Sequence, residues 1–158
     1  MADLETRVAR LELVDALREL KLHYAALCDA GYDGAAISRL FTDDAVWDGG
    51  ESFGRYEGVD EIQQFFAGLG NEIAWALHYM IGPVDVKISS DLASAEAGWY
   101  LWMPYVAVED GRRRSRLFAA KQRDRYRFEA GKWKFSEIVV STESMGEATE
   151  GWLREREP

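Results

Sequence analysis

The sequence predicts an α+β domain: a curved sheet, mixed or antiparallel, wraps round N-terminal helices as a cone and encloses a pocket. Three observations predict it. Helical periodicity fills the first part of the chain and strand-like alternation the last, an order that belongs to α+β domains. The strand-like segments are long and separated by short turn signals, so they read as antiparallel neighbours. The 158 residues also include six Trp, seven Tyr and seven Phe, more rings than a core of this size needs, which points to a wide cavity lined by them.

Residues 3–29 carry the first helix. Leu13, Leu17, Leu20, Tyr24 and Leu27 recur at intervals of three and four, and Gly31 marks the stop. A short helix from Gly34 to Leu40 fits the spacing of Ile37, Leu40 and Phe41. "TDDAVWDGG" reads as turn, short strand and turn, and "FGRYEG" as a second extended piece. Val59 to Leu69 is helical, with Ile62, Phe65, Phe66 and Leu69 on one face and Gly70-Asn71 at its end. Strands follow at Ile73–Met80, Gly82–Ser89, Ala93–Val108, Arg113–Phe128 and Lys132–Ser141. Gly82-Pro83 either separates the first two or bends one long strand. "EDG" at 109–111 and "EAG" at 129–131 are hairpin turns. Residues 1–144 make one domain, and 145–158 a polar tail held loosely.

Composition narrows the function. The net charge of −9 opposes binding to nucleic acid, which requires a basic surface, and to anionic membranes. A single cysteine, Cys28, permits no disulfide framework and no cysteine-based metal cluster. The opening "MADLETRVARLE" lacks the apolar core of a signal peptide, so a cytoplasmic location is expected. No Gly-rich nucleotide loop or G-x-S-x-G elbow is present. Two histidines without a neighbouring carboxylate cluster do not make a metal site.

Several residues are candidates for chemistry. Asp29 sits in the last turn of the first helix, where the helix dipole disfavours a carboxylate. That is a poor choice for stability and a reasonable one for a group that works with protons; the other reading is a solvated acid in a turn. In "IAWALHYMIG", alternation puts Ala74, Ala76, His78 and Met80 on one face. The alanines leave room beside His78, which is then either a base or a half-buried histidine satisfied by a carbonyl. His23 lies off the apolar stripe and reads as surface. Tyr24 belongs to the stripe, and its hydroxyl needs a partner if buried; on an ideal helix it stands roughly 140° from Asp29. Strand 113–128 separates by parity. Lys121, Arg123, Arg125 and Arg127 face out, while Ala120, Gln122, Asp124, Tyr126 and Phe128 face in. Buried acids need partners, so Asp124 is a site residue or part of a structural network. "GRRRSR" at 111–116 reads as a charged edge strand that blocks aggregation.

Five stretches in order, "YAALCDAGYD", "LFTDDAVWDG", "GRYEGVDEIQQFF", "LHYMIGPVDV" and "DRYRFEAGKWKFSEI", resemble the SnoaL-like group of the nuclear-transport-factor-like superfamily over about residues 5–144. The chain looks most similar to the branch of bile acid 7-alpha-dehydratase, scytalone dehydratase and hexachlorocyclohexane dehydrochlorinase. That branch uses a cofactor-free Asp–His pair to abstract a proton as a leaving group departs. The resemblance places the aspartate at Asp29, the histidine at His78 and the dehydratase's active-site tyrosine at Tyr24. Met103 stands where the dehydratase has a second aspartate, and Thr142 falls near the position of its arginine.

The resemblance implies a cofactor-independent, metal-free lyase or isomerase. His78 is its general base, Asp29 orients the imidazole, and Tyr24 donates to a developing oxyanion or leaving group. Trp47, Phe53, Trp99, Leu101 and Met103 line the apolar pocket, with Gln122 and Asp124 as polar groups toward a small hydrophobic ring substrate such as a steroid, terpene or polyketide. Two alternatives share the fold: a non-catalytic binding or structural subunit, and an epoxide hydrolase or cyclase in which a second inward acid, Asp124, activates water. A homodimer or homotrimer formed through the outer sheet face is expected, with Trp75 and Tyr79 on that face.

Overall fold

The computed structural model describes residues 3–148. Helix α1 (Leu4–Asp29) starts where the Asp3 carboxylate accepts the Thr6 N–H at 2.8 Å, an N-cap. It ends as Ala30 and Gly31 donate back to the carbonyls of Ala26 and Cys28. Its buried face runs through Leu13, Leu17, Lys21, Tyr24, Ala25 and Cys28. Leu20 and Leu27, expected in the stripe, are only partly buried against the core. The buried face is therefore rotated toward a lysine. Helix α2 (Gly34–Ser38) is capped by Asp33 and packs against helix α4 (Val59–Glu72). At Gly34 a Cβ would lie 2.3 Å from the Gln63 carbonyl oxygen, so only glycine permits this approach. Between them lie strand β1 (Phe41–Asp48), the one-turn helix α3 (Gly50–Phe53) and strand β2 (Arg55–Glu57). The periodicity contains no trace of α3, because one turn is too short to show any.

The remaining strands are β3 (Ile73–Ala76), β4 (Tyr79–Ile88), β5 (Ser94–Glu109), β6 (Arg112–Glu129) and β7 (Lys132–Glu147). Their order is β2-β1-β7-β6-β5-β3, with β4 also paired to β5. Neighbours are antiparallel except β1 and β7, which run parallel. The sheet is thus mixed, curved and unclosed, and the helices pack on its concave face.

Several sequence expectations change here. The chain breaks at Leu77-His78, not at Gly82-Pro83, which lies inside β4 with a cis peptide. With that break, and a register shift between Ile73 and Trp75, the alternation through His78 fails: Ala74 is exposed while Ile73 packs inward. "GRRRSR" is an open edge only locally: β6 as a whole lies between β5 and β7, but among the described residues Arg112–Arg114 pair with β5 alone, and β7 joins from Arg116 onward. Phe128 is 48 % exposed, since the inner face there runs out toward the end of the strand, where the ring meets Trp133 beside an open groove. The polar tail also begins later than Met145. Main-chain pairing of Met145 with Phe118 and of Glu147 with Arg116 extends β7 through those polar positions, and residues 149–158 lie outside the described ones.

The outward arginines of β6 are matched by acids on the flanking strands. Arg125 pairs with Glu96 of β5 and Glu137 of β7, and Arg123 pairs with Glu96. Each such exposed pair is worth ~0–1 kcal/mol; together they hold the stripe in solvent and keep the inner parity fixed. Farther along the same outer face, Tyr79 lies across from Trp102 and Ile81 from Tyr100. All four rings and chains are more than a third exposed.

Candidate functional site

Asp29 is the last residue of α1, and His78 occupies the break between β3 and β4. Because His78 belongs to neither strand, its main-chain N–H is free to donate to Asp29 Oδ1, at 2.9 Å. The ring Nδ1 meets the same oxygen at 2.7 Å. The ring is buried at 7 % exposure, while the carboxylate keeps 26 %. A carboxylate accepts and cannot donate, so Nδ1 carries the proton and Nε2 presents its lone pair. The helix end and the strand break thereby fix the imidazole in one tautomer, an arrangement able to take up a proton at Nε2.

Nε2 faces Tyr32, a residue outside the periodic patterns of the sequence. The Tyr32 hydroxyl lies 3.4 Å from it, and the two rings meet edge-on at 5.8 Å. Tyr32 is buried and adopts φ +58°, a left-handed conformation rare for an aromatic residue. It is held by stacking on Phe66 and by its N–H on the Leu27 carbonyl. Burial, and then the neighbouring Cys28 and Asp29, push its phenol well above the usual range, so it remains a donor. Its visible signal was an aromatic hydroxyl directly after the helix-stopping glycine.

His78 and Tyr32 border an apolar cavity whose walls include Trp47, Phe53, Leu101 and Met103, and also Phe65 and Phe118. The free volume is about 40 Å³, enough for water and not for a ring. The expected wide cavity is instead nearly filled by its own rings: Phe53 against Phe118 at 5.3 Å and Trp47 against Phe65 at 4.6 Å. Tyr24 borders the same cavity, but its hydroxyl accepts from Trp47 Nε1 at 3.3 Å, and its ring is gripped by Phe41, Phe66 and Phe135. Its described hydrogen bond is with Trp47, not with the Asp29–His78 pair.

Trp99 and Asp124 do not line the cavity. Both are fully buried behind it, because Lys21 of α1 enters the core from the helix side. Lys21 Nζ donates to Asp124 Oδ2 at 2.7 Å and to Gln122 Oε1 at 2.6 Å. It lies near the faces of Tyr24, Phe135 and Trp99, which attract a cation. Tyr126 donates to Asp124 Oδ2 and accepts from Trp99 Nε1, each at 2.9 Å. Burial lowers the Lys21 ammonium and raises the Asp124 carboxyl, and their mutual attraction opposes both shifts. Gln122 bridges the two regions: its oxygen is on Lys21, and its side chain lines the cavity. Among the described residues no three His, Cys, Asp or Glu side chains converge as metal ligands would, and no helix is long and apolar enough to cross a membrane.

A model of the SnoaL-like domain matches residues 9–139. Among curated proteins none matches significantly. Among solved structures, a type 2 hexachlorocyclohexane dehydrochlorinase is similar at TM-score 0.81 and 19 % identity, covering 96 % of this chain and 98 % of that one. A type 3 enzyme of the same name from Novosphingobium barchaimii LL02 gives 0.79 and 19 %, over 96 % and 99 %. A protein assigned as a scytalone dehydratase, from Novosphingobium aromaticivorans, gives 0.76 and 15 %, over 90 % and 91 %. At these identities the likeness is one of fold.

Proposed function

Because the chain belongs to the SnoaL-like domain family, whose fold it shares with dehydrochlorinase and dehydratase structures, we propose that it is a cofactor-independent lyase or isomerase acting on a hydrophobic ring substrate. One observation carries this reading: His78 has Nδ1 on Asp29 and its lone-pair nitrogen directed to an apolar cavity. Nε2 takes a proton from a ring carbon, and the C–H electron pair moves into the substrate. In elimination that pair forms the new double bond as the leaving group departs with its own bonding pair; in isomerisation His78 returns the proton to a second carbon. Asp29 stabilises the imidazolium in either case. Tyr24 and Tyr32 supply the phenolic hydroxyls nearest the reacting centre.

Deuterium exchange from solvent into a panel of ring ketones and hydroxylated steroids tests the reading. Exchange by the wild type that is lost in His78→Ala supports it; equal rates in both assign the base elsewhere.

One observation favours a second reading, the non-catalytic structural subunit with a filled cone: the free volume of about 40 Å³. A ring substrate enters only if Phe53 or a neighbour yields. The hydrolase or cyclase alternative loses its second acid, since Asp124 is engaged by Lys21 and Tyr126. The protein acts as a homodimer or homotrimer. Tyr79, Ile81, Tyr100 and Trp102 form the apolar outer patch that assembly would cover.

A further inference from the structure

Lys21 has no part in the proton transfer, yet it is wholly buried and its two short hydrogen bonds reach different neighbours. Burying a charge is costly unless it is paired, and Asp124 alone would pair it. The second bond, to Gln122, therefore calls for a separate explanation. A lysine side chain donates and does not accept, so the Gln122 atom beside Nζ must be the carbonyl oxygen. That settles which way round the amide sits, a choice otherwise open for any glutamine. The Nε2 amino group is then the free end. Gln122 is 5 % exposed and lines the cavity. Its one hydrogen bond found among the described residues is through Oε1, and its Nε2 is not among the fully enclosed unpartnered atoms, so that nitrogen keeps access to open space. A donor is thus held at a wall that also carries His78, Tyr24 and Tyr32, and unlike the Tyr24 and Tyr32 hydroxyls it has no hydrogen-bond partner found among the described residues.

We propose that Lys21 is a positioning residue that locks the Gln122 amide with its N–H edge toward the cavity, so that the site selects ligands carrying an acceptor oxygen, a ring carbonyl above all. The lock rests on Asp124. Its Oδ2 receives both Lys21 and Tyr126, which anchors the ammonium at a fixed depth in the sheet. Without Lys21 the amide could turn over and offer its oxygen instead, and the wall would lose its preference. For the proton transfer proposed above, on which the substrate class rests, the consequence is direct. An oxygen held by Gln122 accepts the electron pair released when His78 removes a proton from the adjacent carbon, and that oxygen becomes an enolate oxygen stabilised by a donor already in place.

The test uses binding and not turnover, so its outcome does not depend on whether His78 is a base. The probes are 1-indanone and indane, which match in shape and differ in one carbonyl. A ketone accepts and cannot donate, so it gains nothing from the lone pair of His78. Because the cavity of about 40 Å³ admits a ring only once Phe53 yields, every protein in the test carries Phe53→Ala, and the wild type here is the chain otherwise unchanged. Titration followed by calorimetry should show it preferring 1-indanone by on the order of tenfold, the worth of one buried hydrogen bond. Gln122→Leu should lose most of that preference. Removing Lys21 alone would strand Asp124, so the informative variant is Lys21→Met with Asp124→Leu, since buried ion pairs are often replaceable by apolar groups. It should bind indane as the wild type does and lose most of the preference for the ketone. A purely structural Lys21 would change both affinities together. Wild-type protein that shows no preference, or a preference that survives Gln122→Leu, overturns the proposal.

Discussion

Two hydrogens of His78, one on its main chain and one on its ring, converge on a single oxygen of Asp29, at 2.9 and 2.7 Å. The histidine is therefore held by backbone as well as side chain, and its ring cannot turn without leaving one bond. Asp29→Asn can keep an acceptor at that place but removes the charge. General-base contributions are typically ~10²–10⁴-fold. His78→Ala and Asp29→Asn should each lower turnover by about that factor on a genuine substrate, with unchanged circular dichroism.

Tyr32→Phe keeps the ring on Phe66 and against His78 and removes only the hydroxyl at Nε2. Turnover should stay within about tenfold of wild type, the worth of one hydrogen bond. A loss as large as that of His78→Ala would make Tyr32 an obligatory proton carrier.

Tyr24→Phe acts differently, on stability. It leaves the buried Trp47 Nε1 without its acceptor, which costs about 1–3 kcal/mol. The urea midpoint should fall while the slope stays constant.

Tyr24, Tyr32 and Tyr126 are buried phenols raised well above 10.0, chiefly by desolvation. Above that ordinary value the unfolded chain releases protons that the folded chain retains. Stability is accordingly complete below pH ~10 and falls as pH rises further. In an ultraviolet titration these three should ionise only as the protein unfolds, in one cooperative step. Gradual ionisation of all seven tyrosines before any loss of circular dichroism would contradict their burial.

The outer patch of Tyr79, Ile81, Tyr100 and Trp102 predicts self-association. Light scattering at micromolar concentration should give two or three times 17.9 kDa, and Trp102→Glu with Ile81→Glu should reduce it to one chain. A monomeric wild type would count against assembly through this face.

How legible the site was depended on the kind of force involved. Strand parity correctly turned Gln122 and Asp124 inward, because the pleat leaves a residue only two directions. The same argument held the missing clue to Lys21: an inward acid requires a buried cation, and the helical interval Leu13, Leu17, Lys21, Tyr24, Cys28 supplies one. Lysine is so seldom buried that the apolar stripe was drawn through Leu20 instead. The nearness of Asp29 and His78, 49 residues apart, depends on how α1 docks on the sheet. No local pattern encodes that, and only the family resemblance indicated it. Tyr32 was hidden by its left-handed backbone, which propensity assigns to glycine or asparagine.

Helix α3 closes on itself. Gly49 donates to the Gly54 carbonyl, and Gly54 to that of Gly50, each at 2.8 Å, while β1 and β2 on either side pair directly through Trp47 and Tyr56. The turn that carries Phe53 is thus a cassette. Its ends are tied to each other at Gly49 and Gly54, so side chains could be exchanged there without shifting the strands or the Asp29–His78 pair. Evolution or an engineer wanting a different occupant for this cone has its most economical point of change at positions 50–53, where Phe53→Ala alone would take the plug from the cavity.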